Sequence, residues 1–148
     1  MRVIERVVPG IVEERLTGKE RDVLPLTWEE RRWNRKRVRT RNGREVALAL
    51  PTGSVLAAGD VLLVEADWYL QVESVPEPVL AVQPRDGGEA LRVAFEVGNR
   101  HFPLAVQGEV LLVPDDPAMA QLLTRLGATW ERRTAVFDPL GTVPAHAH

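Results

Sequence analysis

Apolar and polar residues alternate along much of the first half of the chain, which is the pattern of β-strands that bury one face. The opening segment "RVIERVV" alternates loosely and ends at the turn signal Pro9-Gly10. The segment "KRVRTRNGREVALALP" predicts a hairpin that turns at Asn42-Gly43. Further strands are predicted at residues 61–64 and 69–75, so we expect residues 1–75 to form a small β-barrel or sandwich.

The pattern changes at Pro76 and Pro78, because proline is disfavoured in a central strand and these two residues predict a boundary. Beyond them, "VLAVQP", "PLAVQGEVLLVP" and "TWERRTAVF" are strand-like, and Gly108 lies in the middle of the second segment. The segments "GGEALRVAFEVGNRH" and "DDPAMAQLLTRLG" are helix-like. The order βαββαβ is that of a ferredoxin-like domain. The predicted fold class is therefore mixed, an all-β N-terminal domain followed by an α+β ferredoxin-like C-terminal domain.

The two predicted helices differ in how well their ends are marked. The second has a full set of start and stop signals, namely Asp115 or Asp116 as N-cap, Pro117 in the first turn and Gly127 as C′. In the first, Leu91 and Phe95 share a face with Ala94 and Gly98, and we expect this face to supply the core. We place the domain limits at residues 1–75 and 76–138, with residues 139–148 as a flexible, histidine-containing tail.

The composition is that of a globular protein. The chain has 148 residues, 45% hydrophobic and 27% charged, which is enough for one ordinary domain or two small ones. No apolar run approaches the roughly 20 residues that span a bilayer, and the acidic start "MRVIERVVPGIVEE" does not resemble a signal peptide. Cysteine is absent, which excludes disulfides, thiolate metal sites and cysteine nucleophiles. We expect a cytoplasmic protein.

A basic run stands out against the slightly acidic net charge of −2. The segment "RRWNRKRVRTRNGR", Arg31 to Arg44, has eight basic residues and no acid. On a strand, Arg37, Arg39 and Arg41 would share one face. Three interpretations stay open: a solvated strand face, a single-stranded nucleic-acid surface assisted by nearby tryptophans, and a docking site for an acidic protein. The net charge disfavours nucleic acid as a partner.

Enzymatic interpretations find little support. The neighbouring acids Glu13-Glu14, Glu29-Glu30 and Asp115-Asp116 are explained by solvation or helix capping. There is no phosphate-binding loop, and no serine or threonine has a histidine close in sequence. We therefore expect a protein that is not an enzyme.

Three histidines, His101, His146 and His148, are the candidate metal ligands. Imidazole is the commonest metal ligand in proteins and suits nickel, copper and zinc. His101 follows the first predicted helix, and Pro103 indicates that the chain leaves the helix there towards the surface. One such histidine becomes two across the axis of a two-fold dimer. The competing interpretation is that the histidines are structural or merely exposed.

Several motifs together resemble the urease accessory nickel metallochaperones, the UreE family. "GNRH" followed closely by a proline is the first of them. "LTWEERRWNRKRVRTRNGREVALALPTGSVLAAGDVL" resembles the family's N-terminal pattern of spaced arginines, a glycine turn, an "LALP" strand and a "GD" turn. "PEPVLAVQP", "DDPAMAQLLTRLG" and "VFDPLGTVPAHAH" follow in the family's order, so the resemblance covers almost the whole chain.

The resemblance implies an N-terminal β domain that is a candidate for partner binding, and a ferredoxin-like domain for metal binding and dimerisation. It implies a homodimer that binds Ni(II) as cargo through His101 of each subunit, assisted by His146 and His148. Zn(II) and Cu(II) would bind the same ligands. The implied partners are the urease accessory GTPase and the urease apoprotein complex, with no membrane involved. The tail is short, which favours specific transfer over storage. The alternative is an RNA- or protein-binding β module with incidental histidines.

Overall fold

The computed structural model describes residues 1–11 and 13–140, and the chain separates into two compact units with the division between Val75 and Pro76. Neither α-helix in this part of the chain is long and apolar enough to cross a membrane. The described strands and α-helices are, in chain order, β1 (Arg2–Ile4), β2 (Glu20–Leu26), β3 (Arg35–Arg39), β4 (Glu45–Ala49), β5 (Val61–Val64), β6 (Trp68–Ser74), β7 (Glu77–Gln83), α1 (Gly87–Asn99), β8 (Ala105–Gln107), β9 (Val110–Pro114), α2 (Pro117–Arg125) and β10 (Thr129–Ala135).

The N-terminal unit consists of two three-stranded sheets, with strand orders β1-β4-β3 and β2-β6-β5. The β3–β4 hairpin is confirmed, and Gly43 in its turn has a φ of 90°, a conformation that glycine adopts at little cost. Both sheets contribute to one apolar cluster, because alternate residues of each strand point to the same side. The cluster contains, among others, Ile4, Val46 and Leu48 from the first sheet and Leu24, Leu26, Leu70 and Val72 from the second.

A buried carboxylate holds the β3–β4 turn against β2. Asp22 is 0% exposed, and its carboxylate accepts hydrogen bonds from the Thr40 hydroxyl at 2.5 Å and the Arg44 guanidinium at 2.9 Å. It also accepts a bond from the Asn42 amide at 3.1 Å. The Arg44 guanidinium lies 4.0 Å from the centre of the Trp68 ring, a cation–π contact that closes the cluster on its outer side. A single buried side chain of β2 thus accepts hydrogen bonds from three residues of the β3–β4 turn.

The C-terminal unit is a four-stranded antiparallel sheet in the order β10-β7-β9-β8, with α1 and α2 in the two crossovers. This topology confirms the predicted fold class. The start and stop signals of α2 are also confirmed, since Asp116 accepts from the Ala118 amide at 2.8 Å and Gly127 has a φ of 72°. The core lies between sheet and helices and includes Leu80, Val82, Val93, Val97, Leu111, Val113, Met119, Leu122 and Leu123.

The face of α1 that we expected to supply the core is on the wrong side of the helix. Leu91 is 75% exposed and Phe95 is 68% exposed, whereas Val93 and Val97 are the buried residues. The helix carries two apolar stripes, and hydrophobic periodicity shows that both exist without showing which one meets the sheet. Packing against β7 and β9 makes that choice.

The expectation that Pro78 stands outside a central strand is wrong as well. Pro78 is the second residue of β7, which lies between β10 and β9. At Pro78, β7 has β10 as its only neighbouring strand. Pro78 pairs with Thr134 of β10, whereas the pairing of β7 with β9 begins one residue later, at Val79. Proline is tolerated here because the strand has one neighbour rather than two at this position.

We predict that Asp22→Asn lowers the free energy of unfolding by about 2–3 kcal/mol near neutral pH, since it removes a buried, charge-assisted acceptor. Burial raises the pKa of the Asp22 carboxyl, but the hydrogen bonds from Thr40 and Arg44 outweigh burial and hold its pKa below the ordinary value. The carboxylate therefore stabilises the fold above about pH 3.9 and loses this effect as the pH falls towards its lowered pKa. In urea unfolding, the free energy of unfolding of Asp22→Asn should depend less on pH in the acid range than that of the wild type. The exposed control Glu20→Gln should lower the free energy of unfolding by a smaller amount.

Candidate metal centre at the end of helix α1

The C-terminus of α1 ends in a Schellman motif. Arg100 is the C-cap, the His101 amide donates to the Gly98 carbonyl at 2.9 Å, and the Phe102 amide donates to the Val97 carbonyl at 3.2 Å. These two bonds are the 5→2 and 6→1 pairs that define the motif, and they place His101 at C′. The motif satisfies two of the carbonyls that every helix end leaves without an intrahelical donor.

His101 occupies a backbone conformation that usually belongs to glycine. Its φ is 61°, and among residues 1–11 and 13–140 no other non-glycine residue has a positive φ. A side chain in this region costs about 1 kcal/mol relative to glycine, although histidine enters it more often than most residues. A residue kept in such a conformation is a candidate for function. The sequence could have indicated this conformation, because the helix must end between Asn99 and Pro103 and no glycine is present there to take the left-handed position.

Apolar residues on both sides of His101 pack into the core and hold the turn, while the imidazole of His101 remains in solvent. Val97 is 0% exposed, and Phe102 and Leu104 pack against the same cluster. The contact between Val97 and Phe102 is the hydrophobic pair that commonly accompanies a Schellman motif. His101 itself is exposed, and its imidazole has no hydrogen bond to any other described residue. Its ring nitrogens are therefore available to a ligand.

The last turn of α1 carries one ion pair beside the histidine. The Arg100 guanidinium lies 2.6 Å from the Glu96 carboxylate and 3.0 Å from the Glu96 carbonyl oxygen. A cation at this position also opposes the partial negative charge of the helix C-terminus. The Glu96 carboxylate is thus engaged by Arg100.

The described part of a single chain does not complete a metal site around His101. Residues 1–11 and 13–140 contain no group of three or more histidine, cysteine, aspartate or glutamate side chains that could hold a metal. His146 and His148 lie outside the described residues. One chain thus places a single imidazole at the end of α1, and any complete coordination sphere needs ligands from elsewhere.

The C-terminal segment comes back to this end of the unit. Phe137 and Pro139 are buried after β10, and the Leu140 amide donates to the Leu104 carbonyl at 2.7 Å. Leu104 follows His101 by three residues. The last described residues of the chain are therefore tied close to the candidate metal ligand, a relation that no local sequence pattern indicates.

The exposed stripe of α1 runs towards the same place. Leu91, Phe95 and Gly98 are spaced at i, i+4 and i+7, so they share one helix face that ends one short turn before His101. A Cβ built on Gly98 would meet no atom within 4 Å, which leaves the helix backbone open to close approach. From the sequence we assigned Leu91 and Phe95 to the core, and so we missed that an exposed apolar stripe lies beside the exposed imidazole of His101.

Comparison with known proteins gives matches along nearly the whole chain. The family model described as UreE urease accessory protein, N-terminal domain, matches residues 4–73, and the one described as its C-terminal domain matches residues 77–148. The urease accessory protein UreE of Paraburkholderia xenovorans (strain LB400) is 36% identical over 140 residues, covering 94% of this chain and 62% of that protein. UreE of Burkholderia mallei (strain SAVP1) is 38% identical over 140 residues, covering 94% and 69%.

These matches confirm the resemblance indicated by the motifs. Both relatives are named as accessory proteins, which agrees with the expectation that the chain is not an enzyme. The chain spans 62% of the length of the first relative and 69% of the second.

We predict that metal-free His101→Gly is more stable than His101→Ala by about 1 kcal/mol, because glycine relieves the left-handed backbone while alanine retains its Cβ. Urea unfolding of the two variants and the wild type measures the difference in the free energy of unfolding. Because both variants lack the imidazole, the effect of losing it cancels when the two variants are compared. Equal stability of the two variants would mean that the backbone at residue 101 is not strained.

Proposed function

Because the chain belongs to the UreE family of urease accessory proteins, we propose that it is a nickel metallochaperone that helps deliver Ni(II) to the urease active site during urease maturation. The observation that carries this proposal is the exposed imidazole of His101, held outside the core in a strained backbone conformation. A structural histidine would be expected to pack or to form hydrogen bonds instead.

The chemistry of the site suits a cargo ion. Imidazole nitrogen binds divalent nickel well, and a site of few, solvent-exposed ligands allows the ion to leave again. Zn(II) binds the same ligands, and Cu(II) binds them more tightly by the general order of divalent metals. Selection of nickel therefore depends on metal availability and geometry rather than on ligand type alone.

A homodimer would supply the second imidazole. Leu91 and Phe95 expose large apolar side chains, and such surface favours burial against a partner. In a two-fold interface the same stripe meets itself. When the axis passes beside Gly98, where the backbone is open to close approach, the two His101 side chains face each other across it. The dimer thus converts one exposed histidine into a two-imidazole site.

The tail histidines have the reach to join this site. Leu140 is anchored to Leu104, and His146 follows Leu140 by six residues, which span at most about 20 Å when extended. His101 precedes Leu104 by three residues, at most about 11 Å. His146 and His148 can therefore supply additional ligands, at the cost of ordering the chain that carries them.

We propose the cytoplasm as the site of action, with the urease accessory GTPase and the urease apoprotein complex as the partners that receive nickel. The shared family with urease accessory proteins supports this role. No membrane partner is proposed.

We predict that His101→Gly abolishes tight nickel binding while the dimer persists. Loss of an outer-shell partner alone usually weakens metal affinity about 10–100-fold, so loss of two ligands per dimer should weaken it by more than about a hundredfold. Calorimetric nickel titration, with molar mass measured on the same samples, checks this. Wild-type affinity should also decrease in acid, because protons compete with nickel for imidazole.

Comparison with the double variant His146→Ala/His148→Ala in the same titration gives the contribution of the tail. This variant should keep the main binding event but show a lower affinity or a smaller uptake. A His101→Gly protein that takes up nickel as tightly as the wild type would contradict the proposed site.

We predict that Phe95→Glu converts the dimer to a monomer, since it places a charge in the middle of the apolar stripe. Gln121→Glu is the matched control, because Gln121 is exposed on α2, outside the stripe, and the substitution adds the same single negative charge. Light scattering after size-exclusion chromatography should report a halved mass only for Phe95→Glu. A wild-type monomer, or dissociation by both variants, would show that the stripe is not the interface.

A further inference from the structure

The solvent face of the β1-β4-β3 sheet carries arginines that the fold does not use. Val38 of β3 packs against the apolar core, so its neighbours on the strand, Arg37 and Arg39, point to the opposite, solvent side together with Arg35. All three arginines are exposed.

Three arginines of this region have acidic partners, whereas Arg35 and Arg37 on β3 have none among the described residues. Arg39 pairs with Glu45 at 2.8 Å, and Arg41 pairs with Glu73 at 2.8 Å. Arg44 pairs with Asp22, as described above, and also with Glu20 at 3.0 Å. In contrast, the side chains of Arg35 and Arg37 form no ion pair or hydrogen bond with any other described residue. Two neighbouring positive charges on one strand are thus left uncompensated.

A small apolar floor lies beside these two arginines. Arg35 is opposite Ala49 and Arg37 is opposite Ala47 in the β3–β4 ladder. Ala47 is in turn paired with Val3 of β1, which is 54% exposed. We call the surface made of Val3, Arg35, Arg37, Ala47 and Ala49 the arginine face. The small alanine side chains leave room for the side chains of a docked chain.

The arginine face ends at an open sheet edge. β3 is the last strand in the order β1-β4-β3, and its only ladder among the described residues is with β4. Just beyond β3 the Arg41 amide donates to the Val23 carbonyl of β2 at 2.8 Å, so the edge that can take another strand is the stretch Arg35–Arg39. Backbone groups on the outer side of an edge strand can pair with an additional strand, which is a common way for proteins to bind extended peptides.

We propose that the arginine face docks an acidic, extended segment of a partner protein. Acidic side chains of the segment pair with Arg35 and Arg37, an apolar side chain rests on Val3, and the backbone of the segment extends the sheet at β3. The charge complementarity steers the segment to this edge and sets its register.

Single-stranded nucleic acid fits the same surface less well. Base stacking needs exposed aromatic rings next to the phosphate-binding charges. Trp28 and Trp33 are half-buried, and each ring is already covered by a cation, Arg32 at 5.3 Å and Lys36 at 5.0 Å from the ring centres. Lys36 lies on the side of β3 opposite Arg35 and Arg37, so its tryptophan is not on the arginine face.

A competing explanation is that edge charges only protect the protein from aggregation. The experiment therefore compares Arg35→Glu/Arg37→Glu with a matched control, Arg39→Glu/Glu45→Arg. The control reverses an internally paired arginine of the same strand and keeps the ion pair and the net charge. The probe is a short fluorescein-labelled peptide of alternating glutamate and valine, and fluorescence anisotropy measures its binding at low and high salt.

The wild type should bind the peptide in a salt-sensitive manner. Arg35→Glu/Arg37→Glu should weaken binding about tenfold or more, as expected for two ion pairs turned into repulsions, and the control should stay within about twofold of the wild type. Circular dichroism establishes that both variants fold, and nickel titration should be unchanged. This result is independent of the proposed function, because His101 is not altered.

Three outcomes would overturn the proposal. The first is that the wild type does not bind the acidic peptide, or binds it without salt dependence. The second is that the control loses as much affinity as Arg35→Glu/Arg37→Glu. The third is that single-stranded oligouridine binds more tightly than the peptide and loses its affinity in the same variant, which would assign the surface to RNA.

Discussion

The left-handed turn that ends α1 is the constraint on which the rest of the C-terminal unit depends. The amides of His101 and Phe102 close the helix, and Phe102 brings the chain back into the core beside Val97. From there the chain enters β8 by way of Leu104, and the carbonyl of Leu104 receives the amide of Leu140. One backbone conformation thus exposes an imidazole, starts the β8–β9 hairpin and fixes the point from which the tail departs.

Helix α1 serves two surfaces at once. Val93 and Val97 pack against the sheet, whereas Leu91 and Phe95 remain exposed in the single chain. Because the stripe of exposed residues ends next to the turn, association through this face and assembly of a metal site would be one event rather than two. A monomer would retain the fold, since its core is complete without the stripe, but would present only half of the proposed ligands.

The fold gives some arginines of the basic run acidic partners within the N-terminal unit and leaves others without such partners among the described residues. Arg44 is tied to the buried Asp22, a contact that anchors the hairpin, and Arg39 pairs with Glu45 within it. The partners in each of these contacts are separated by many residues or by a turn, so a count of charges along the chain does not reveal the pairing. On the solvent face of β3, the side chains of Arg35 and Arg37 remain without an acidic partner in the described residues, a far smaller feature than the run as a whole.

Local patterns in the sequence determined the β3–β4 hairpin, the βαββαβ order, the cap at Asp116 and the candidate His101, because alternation, capping chemistry and residue type are properties of neighbours along the chain. They did not predict β2, which pairs in parallel with the distant β6. Only the tertiary structure decided that α1 buries Val97 and exposes Phe95, since two apolar stripes on one helix are distinguished by the sheet that packs against it. Likewise, the burial of Asp22 and the return of Leu140 to Leu104 join distant residues, and contacts of that kind arise only when the whole chain has packed.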